Sequence, residues 1–150
     1  MRKLGSPLKP ERFSCRIYGV LLRAAGSGGR QVLLTRSRFI NHGFVNFPGG
    51  GVELGEAPIE ALRREYNEET GIEINPLRVL YASESAHLSS QAPMQIVSVY
   101  WLVEQAGGTL RRGGNGDDVI DLFWAGLKSI PTEEMFPSDL EFARRLPHLL

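Results

Sequence analysis

Glu65, Glu68 and Glu69 are three carboxylates spaced i, i+3 and i+4. On a helix those positions are neighbours on one face. Three crowded carboxylates repel one another unless a cation lies between them. Oxygen donors suit a hard ion such as Mg²⁺, which takes few protein carboxylates and completes its shell with water and substrate phosphates. The chemistry implied is metal-assisted work on a phosphate compound. The plainer alternative is a solvated helix surface on which the acids pair with Arg63 and Arg64.

The segment Pro58–Thr70 that carries the acids reads as a helix. Pro58 suits a first turn, and Gly71 suits the left-handed position after a last turn. Ile59, Leu62 and Tyr66 form one apolar stripe at roughly 100° per residue, with the acids on the adjacent face. Before it, Pro48-Gly49-Gly50-Gly51 demands a tight backbone that side chains would block.

The surrounding chain supplies strands. Phe13–Ala24, Gln31–Arg36, Arg78–Glu84, Gln95–Glu104 and Leu122–Ala125 have strand composition, and Val52–Leu54 reads as a further short strand. Ser37–Asn46 reads as a loop and residues 1–12 as a flexible or loosely docked arm. Ser138–Leu146 reads as an amphipathic helix with Ser138 as its N-cap. Strands mixed with two helices in one 150-residue domain predict an α/β layered fold.

Seventeen basic and seventeen acidic residues cancel, so composition makes no case for nucleic acid or membrane as partner. The longest apolar run, Ile17–Leu22, is too short to span a bilayer. The N-terminus lacks a signal-peptide apolar region, and Cys15 is alone, so a cytoplasmic location is the expectation. His42, His87 and His148 show no zinc-ligand spacing.

Written out, Gly50, Glu56, Arg64-Glu65, Glu68-Glu69 and Gly71 fill every fixed position of G-x5-E-x7-R-E-U-x-E-E-x-G-U, with Tyr66 and Ile72 at the bulky positions. At about 7% frequency per fixed residue, a chance match is on the order of 10⁻⁸ per start position. The segment resembles the Nudix box. That resemblance implies a Nudix-type α/β/α sandwich with a mixed β-sheet, the box forming a loop-helix-loop unit. It implies Mg²⁺ or Mn²⁺ held by carboxylates at Glu65, Glu68 and Glu69 with help from the backbone carbonyl of Gly49, and Arg64 orienting the acids. Gly50 and Gly71 shape the backbone. Glu56 either binds a second metal through water or braces the loop.

The resemblance leaves the general base open between Glu65 and an acid of a later loop, here Asp117 or Asp118, whose plainer reading is a turn. Arg36 and Arg38, at the end of a strand leading to the box, are candidates to clamp a phosphate. Phe47 is a candidate to stack a base, against the plainer reading of a core residue. Trp101 and Trp124 read as core. The implied activity is hydrolysis of the pyrophosphate bond in a nucleoside diphosphate linked to another group, releasing a nucleoside monophosphate. The alternative is a catalytically silent nucleotide-binding or regulatory domain of the same fold. The substrate would be a small nucleotide. The positions that mark ADP-ribose or dinucleoside polyphosphate subgroups hold Leu88, Ser89 and Ser90, which match neither. The resemblance also admits a homodimer, which no sequence feature decides.

Overall fold

The computed structural model describes residues 9–39, 42–89 and 91–150. Its elements run β1 (Arg12–Ala24), β2 (Arg30–Phe39), β3 (His42–Asn46), β4 (Gly49–Gly51), α1 (Pro58–Thr70), β5 (Ile72–Ala82), β6 (His87–Leu88), β7 (Met94–Gly108), β8 (Val119–Gly126), a 3₁₀ turn (Thr132–Glu134) and α2 (Pro137–Leu149). The main path of the sheet is β3-β2-β1-β7-β5, with β4 on β1, β6 on β7 and β8 on β2. β1 runs parallel to β7 over Arg12–Leu21, and the other pairs are antiparallel, so the sheet is mixed.

β1 is the central strand, and its alternation builds both cores. Tyr18 and Val20 face one side, where they pack with Phe47, Tyr100 and the α2 residues Phe142, Ala143 and Leu146. Ile17 and Leu21 face the other, where they meet Ala61, Leu62 and Tyr66 of α1. A sheet covered on both faces explains the near-continuous apolar runs at residues 17–22 and 32–34. Gly19 belongs to this packing, because a Cβ there would lie 2.7 Å from the Tyr66 ring.

The edge of β1 away from β7 is shared. β4 pairs with Arg16–Tyr18, and β2 pairs with Leu22–Ala24. This division brings the glycine loop against the middle of the sheet and delivers the chain to α1. The helix starts after Ala57, whose N–H donates to the Glu60 carboxylate at 3.3 Å. It stops at Gly71, which takes φ 80° and donates its N–H to the Asn67 carbonyl at 2.8 Å.

Several expectations are corrected. Ser37–Asn46 is not a loop: β2 continues to Phe39, and β3 pairs with it from His42. The short strand before α1 is Gly49–Gly51, not Val52–Leu54, because pairing with β1 imposes extension on glycines with no strand propensity of their own. Ser138 is not a cap. Pro137 occupies the first turn of α2, Phe136 holds the cap position without a side-chain bond, and Ser138 is buried. Residues 1–8 of the expected arm lie outside the described residues. Glu11, which follows them, donates its N–H to the Pro93 carbonyl at 2.8 Å.

Candidate active site

The site grows from the contact between the glycine loop and α1. Gly49 donates its N–H to Glu69 Oε2 at 3.2 Å. Gly50 lies against Glu65, where a Cβ would sit 2.6 Å from the Glu65 carboxyl carbon and 2.7 and 2.8 Å from its oxygens. Glu65 and Glu69 are one helical turn apart, so the two glycines receive the two acids side by side. Gly49 has no room of its own, since a Cβ would fall 2.1 Å from the Ile17 carbonyl oxygen.

Glu69 is only 7% exposed and has one hydrogen bond among the described residues. Burial pushes its carboxyl up to about 9, opposed by the Gly49 N–H and reinforced by the charges of Glu65 and Asp118. Burial also raises Glu65, against the pull of Arg64. A carboxylate as buried and short of partners as Glu69 is costly to ionise without a cation beside it. The donor set is oxygen only, one ligand is buried and under-bonded, and the loop leaves no Cβ in the way. These features fit a hard divalent ion.

Arg64 organises the rest. Its Nε and Nη2 donate to the two oxygens of Glu56 at 2.7 and 2.9 Å, a bidentate fork. Its Nη1 donates to Glu65 at 3.1 Å and to Glu68 at 3.4 Å. Glu56 also accepts the N–H of Glu53 at 3.2 Å. Glu56 is thus tied both to Arg64 and to its own loop, and the Arg64 bond holds its carboxyl below the usual range. Glu68 is the acid set apart. Its side chain is 56% exposed and its contact is Arg64. Among the described residues no three His, Cys, Asp or Glu side chains are already gathered in ligating geometry. Glu65 and Glu69 meet at the two glycines, and Glu68 is joined to Glu65 through the shared Arg64 Nη1.

Asp118 arrives on the loop between β7 and β8. That loop is pinned to the end of α1 by Arg111, which donates its N–H to the Thr70 carbonyl and its Nη1 to the Glu68 carbonyl, both at 2.7 Å. Gly71 leaves the space, because a Cβ there would lie 2.4 Å from the Thr109 oxygen. Asp118 Oδ1 accepts the Val119 N–H at 3.1 Å and the Asn115 amide at 3.3 Å, a turn geometry, while its charge still reaches Glu69.

The expected substrate residues divide. Phe47 is a correction: it is fully buried, edge-on to Tyr100 and Phe142, and has no face left for a base. Arg36 donates to Glu134 at 2.6 Å and lies over the Phe123 ring. Arg38 is exposed, and its backbone N–H holds the Asp118 carbonyl at 2.9 Å. Arg16 was not anticipated. It faces Gly51 across the β1–β4 pair and donates its Nε–H to Tyr18 Oη at 2.7 Å. The signal in the sequence is an arginine two residues before a tyrosine, and so on the same strand face.

A three-layer fold with a mixed sheet, a glycine loop and an acid-bearing helix beneath it defines an α/β/α domain built around an oxygen-ligand site. The sequence model of the NUDIX domain matches residues 16–146, and the chain belongs to that family. Among its relatives, the 8-oxo-dGDP phosphatase of Danio rerio is 35% identical over 112 residues, covering 75% of this chain and 32% of that protein. The RNA pyrophosphohydrolase of Pseudomonas paraeruginosa is 39% identical over 64 residues, 43% of this chain and 40% of that protein. The 8-oxo-dGTP diphosphatase of Haemophilus influenzae is 30% identical over 108 residues, 68% of this chain and 69% of that protein. The chain thus spans about a third of the zebrafish relative and 40% of the Pseudomonas one. The structure of a MutT protein from Methanosarcina mazei superposes with a TM-score of 0.71 at 22% identity, covering 95% of this chain and 97% of that one. The E. coli ORF135 protein gives 0.70 at 20% identity, with 95% and 91% covered, so the fold is shared.

Proposed function

We propose that this chain is a divalent-metal-dependent hydrolase that cleaves the pyrophosphate bond of a nucleoside diphosphate linked to another moiety, releasing a nucleoside monophosphate. The observation that carries the reading is the pair Glu65 and Glu69. Glu69 is buried with a single hydrogen bond among the described residues, Glu65 is half-buried and held by Arg64, and both are seated on two glycines that leave room for nothing larger. Glu65, Glu68, Glu69 and the Gly49 carbonyl would hold Mg²⁺ or Mn²⁺. When bound, such an ion polarises phosphate oxygens and lowers the pKa of its water.

The chain's own residues do the positioning. The Gly49 N–H fixes one oxygen of Glu69, and Arg64 spans Glu56, Glu65 and Glu68 and braces those three acids together. Glu65 and Asp118 are the two candidates to accept the proton of the attacking water. Relatives named for oxidised guanine nucleotides place 8-oxo-dGDP and 8-oxo-dGTP first among substrates to test.

The test is product analysis with Mg²⁺ or Mn²⁺ over 8-oxo-guanine nucleotides, ordinary nucleoside triphosphates, nucleotide sugars, ADP-ribose and 5′-triphosphate RNA. Glu65→Gln and Asp118→Asn are run beside the parent. Turnover of one class, with a monophosphate product, supports the reading, and the variant that loses more turnover while keeping the parent's Mg²⁺ affinity identifies the base. A folded protein that binds the nucleotide with Mg²⁺ but turns over no member of the panel would move the assignment to a silent nucleotide-binding domain.

A further inference from the structure

Arg16 is a part-buried guanidinium with most of its donors unused. A guanidinium carries five N–H groups. The described residues give it one acceptor, Tyr18 Oη. The tether is itself fixed: the Tyr18 ring stacks on Tyr100 at 5.1 Å, and Tyr100 donates its hydroxyl to the buried Asp139 at 2.6 Å. By contrast Arg36, Arg64 and Arg145 each pair with a carboxylate within 4.0 Å. Among the described residues no carboxylate is that close to Arg16.

Its position matters as much as its vacancy. The register Arg16↔Gly51, Ile17↔Gly50, Tyr18↔Gly49 sets Arg16 on the strand rung next to the glycines that receive Glu65 and Glu69. Burial raises both carboxyls, and the charge of Arg16 reaches them in opposition, as it also reaches the buried Asp139. A diphosphate approaching two glutamates is repelled unless a cation faces it from another side. Arg36 and Arg64 are committed to carboxylates, and Arg38 is exposed with no side-chain tether among the described residues. Arg111 is tethered to the Glu68 carbonyl but exposed, whereas Arg16 is a tethered, part-buried cation with donors to give.

We propose that Arg16 is a substrate-binding residue of this site. With its Nε held by Tyr18, its Nη1–Nη2 edge takes nonbridging oxygens of the substrate diphosphate end-on. Guanidinium matches such oxygens bidentately where an ammonium cannot. The proposal rests on the hydrolase reading above.

The experiment measures calorimetric binding of α,β-methylene-ADP and α,β-methylene-GDP with Mg²⁺, beside turnover of the substrate panel. Arg16→Ala is expected to weaken analogue binding on the order of 10- to 100-fold and to raise KM more than it lowers kcat. Arg16→Lys recovers only part of the loss, and Tyr18→Phe, which frees the tether, weakens binding by about 3-fold. Arg144→Ala, on the exposed face of α2, stays with the parent. Thermal midpoints verify folding, and Arg16→Lys serves if Arg16→Ala does not fold. Analogue binding unchanged in Arg16→Ala or, in that case, Arg16→Lys, with a parent that turns over substrate, overturns the proposal and leaves the hydrolase reading standing. A fall in kcat alone with unchanged analogue binding also overturns it, assigning Arg16 to positioning Glu65 and Glu69. A parent that neither binds nor hydrolyses removes the hydrolase reading, and this proposal falls with it.

Discussion

Replacing Gly50 with alanine separates the fold from the chemistry. The new Cβ would stand 2.6 Å from the Glu65 carboxyl carbon and 2.7 and 2.8 Å from its oxygens, whereas ordinary contact begins near 3.4 Å. The carboxyl therefore retreats by about 0.7 Å. It is the free end of a flexible side chain, and Gly50 does not adopt the left-handed backbone that alanine resists. Stability should change by less than about 1 kcal/mol. Misplacing a reacting group by about 1 Å costs on the order of 100-fold in rate. Gly50→Ala should thus lose roughly 10- to 100-fold in kcat/KM, or about 1.4–2.7 kcal/mol of transition-state stabilisation, with a parent-like thermal midpoint. Steady-state kinetics and thermal unfolding on the same samples decide it. Full activity in a folded variant would refute the reasoning, because the Glu65 position would then not matter.

Other outcomes follow from the same contacts. Gly49→Ala meets backbone, not a mobile side-chain end, and should cost 3 kcal/mol or more, on the order of a failed fold in unfolding experiments. Phe47→Ala should cost about 3–5 kcal/mol by denaturant titration while the folded fraction keeps its KM, as a core residue and not a base platform would. Glu69 sets a pH dependence in the metal-free protein. Its folded pKa of about 9 lies above the ordinary 4.5, so the folded state binds the proton more tightly. Stability then falls as pH rises from about 4.5 toward 9, by at most about 1.4 kcal/mol per pH unit. Glu69→Gln should flatten that slope in metal-free thermal scans; an unchanged slope would mean that Glu69 is not the group responsible.

The helix and its acids were legible because their signals are local. Proline, apolar stripe and glycine mark Pro58–Thr70 at both ends, and the structure agrees residue for residue. Central strands were legible from apolar runs. β3 and β4 were not, because their extension comes from pairing with β2 and β1 and not from their own composition. Arg36 illustrates the same limit: its partner Glu134 is 98 residues away, so no local pattern could assign it. Glu68 shows that helical spacing predicts a shared face but not how exposed each carboxylate on it will be. Arg16 was missed because its importance depends on which strand runs beside it.

The most direct measurement of the central claim is hydrolysis of the best panel substrate by metal-stripped protein, before and after Mg²⁺ is restored, in the parent and in Glu69→Gln. The account predicts no turnover without the ion, full recovery in the parent on adding it, and a loss on the order of 100-fold or more in a folded Glu69→Gln. Turnover that persists in the stripped protein, or that survives undiminished in Glu69→Gln, would contradict it.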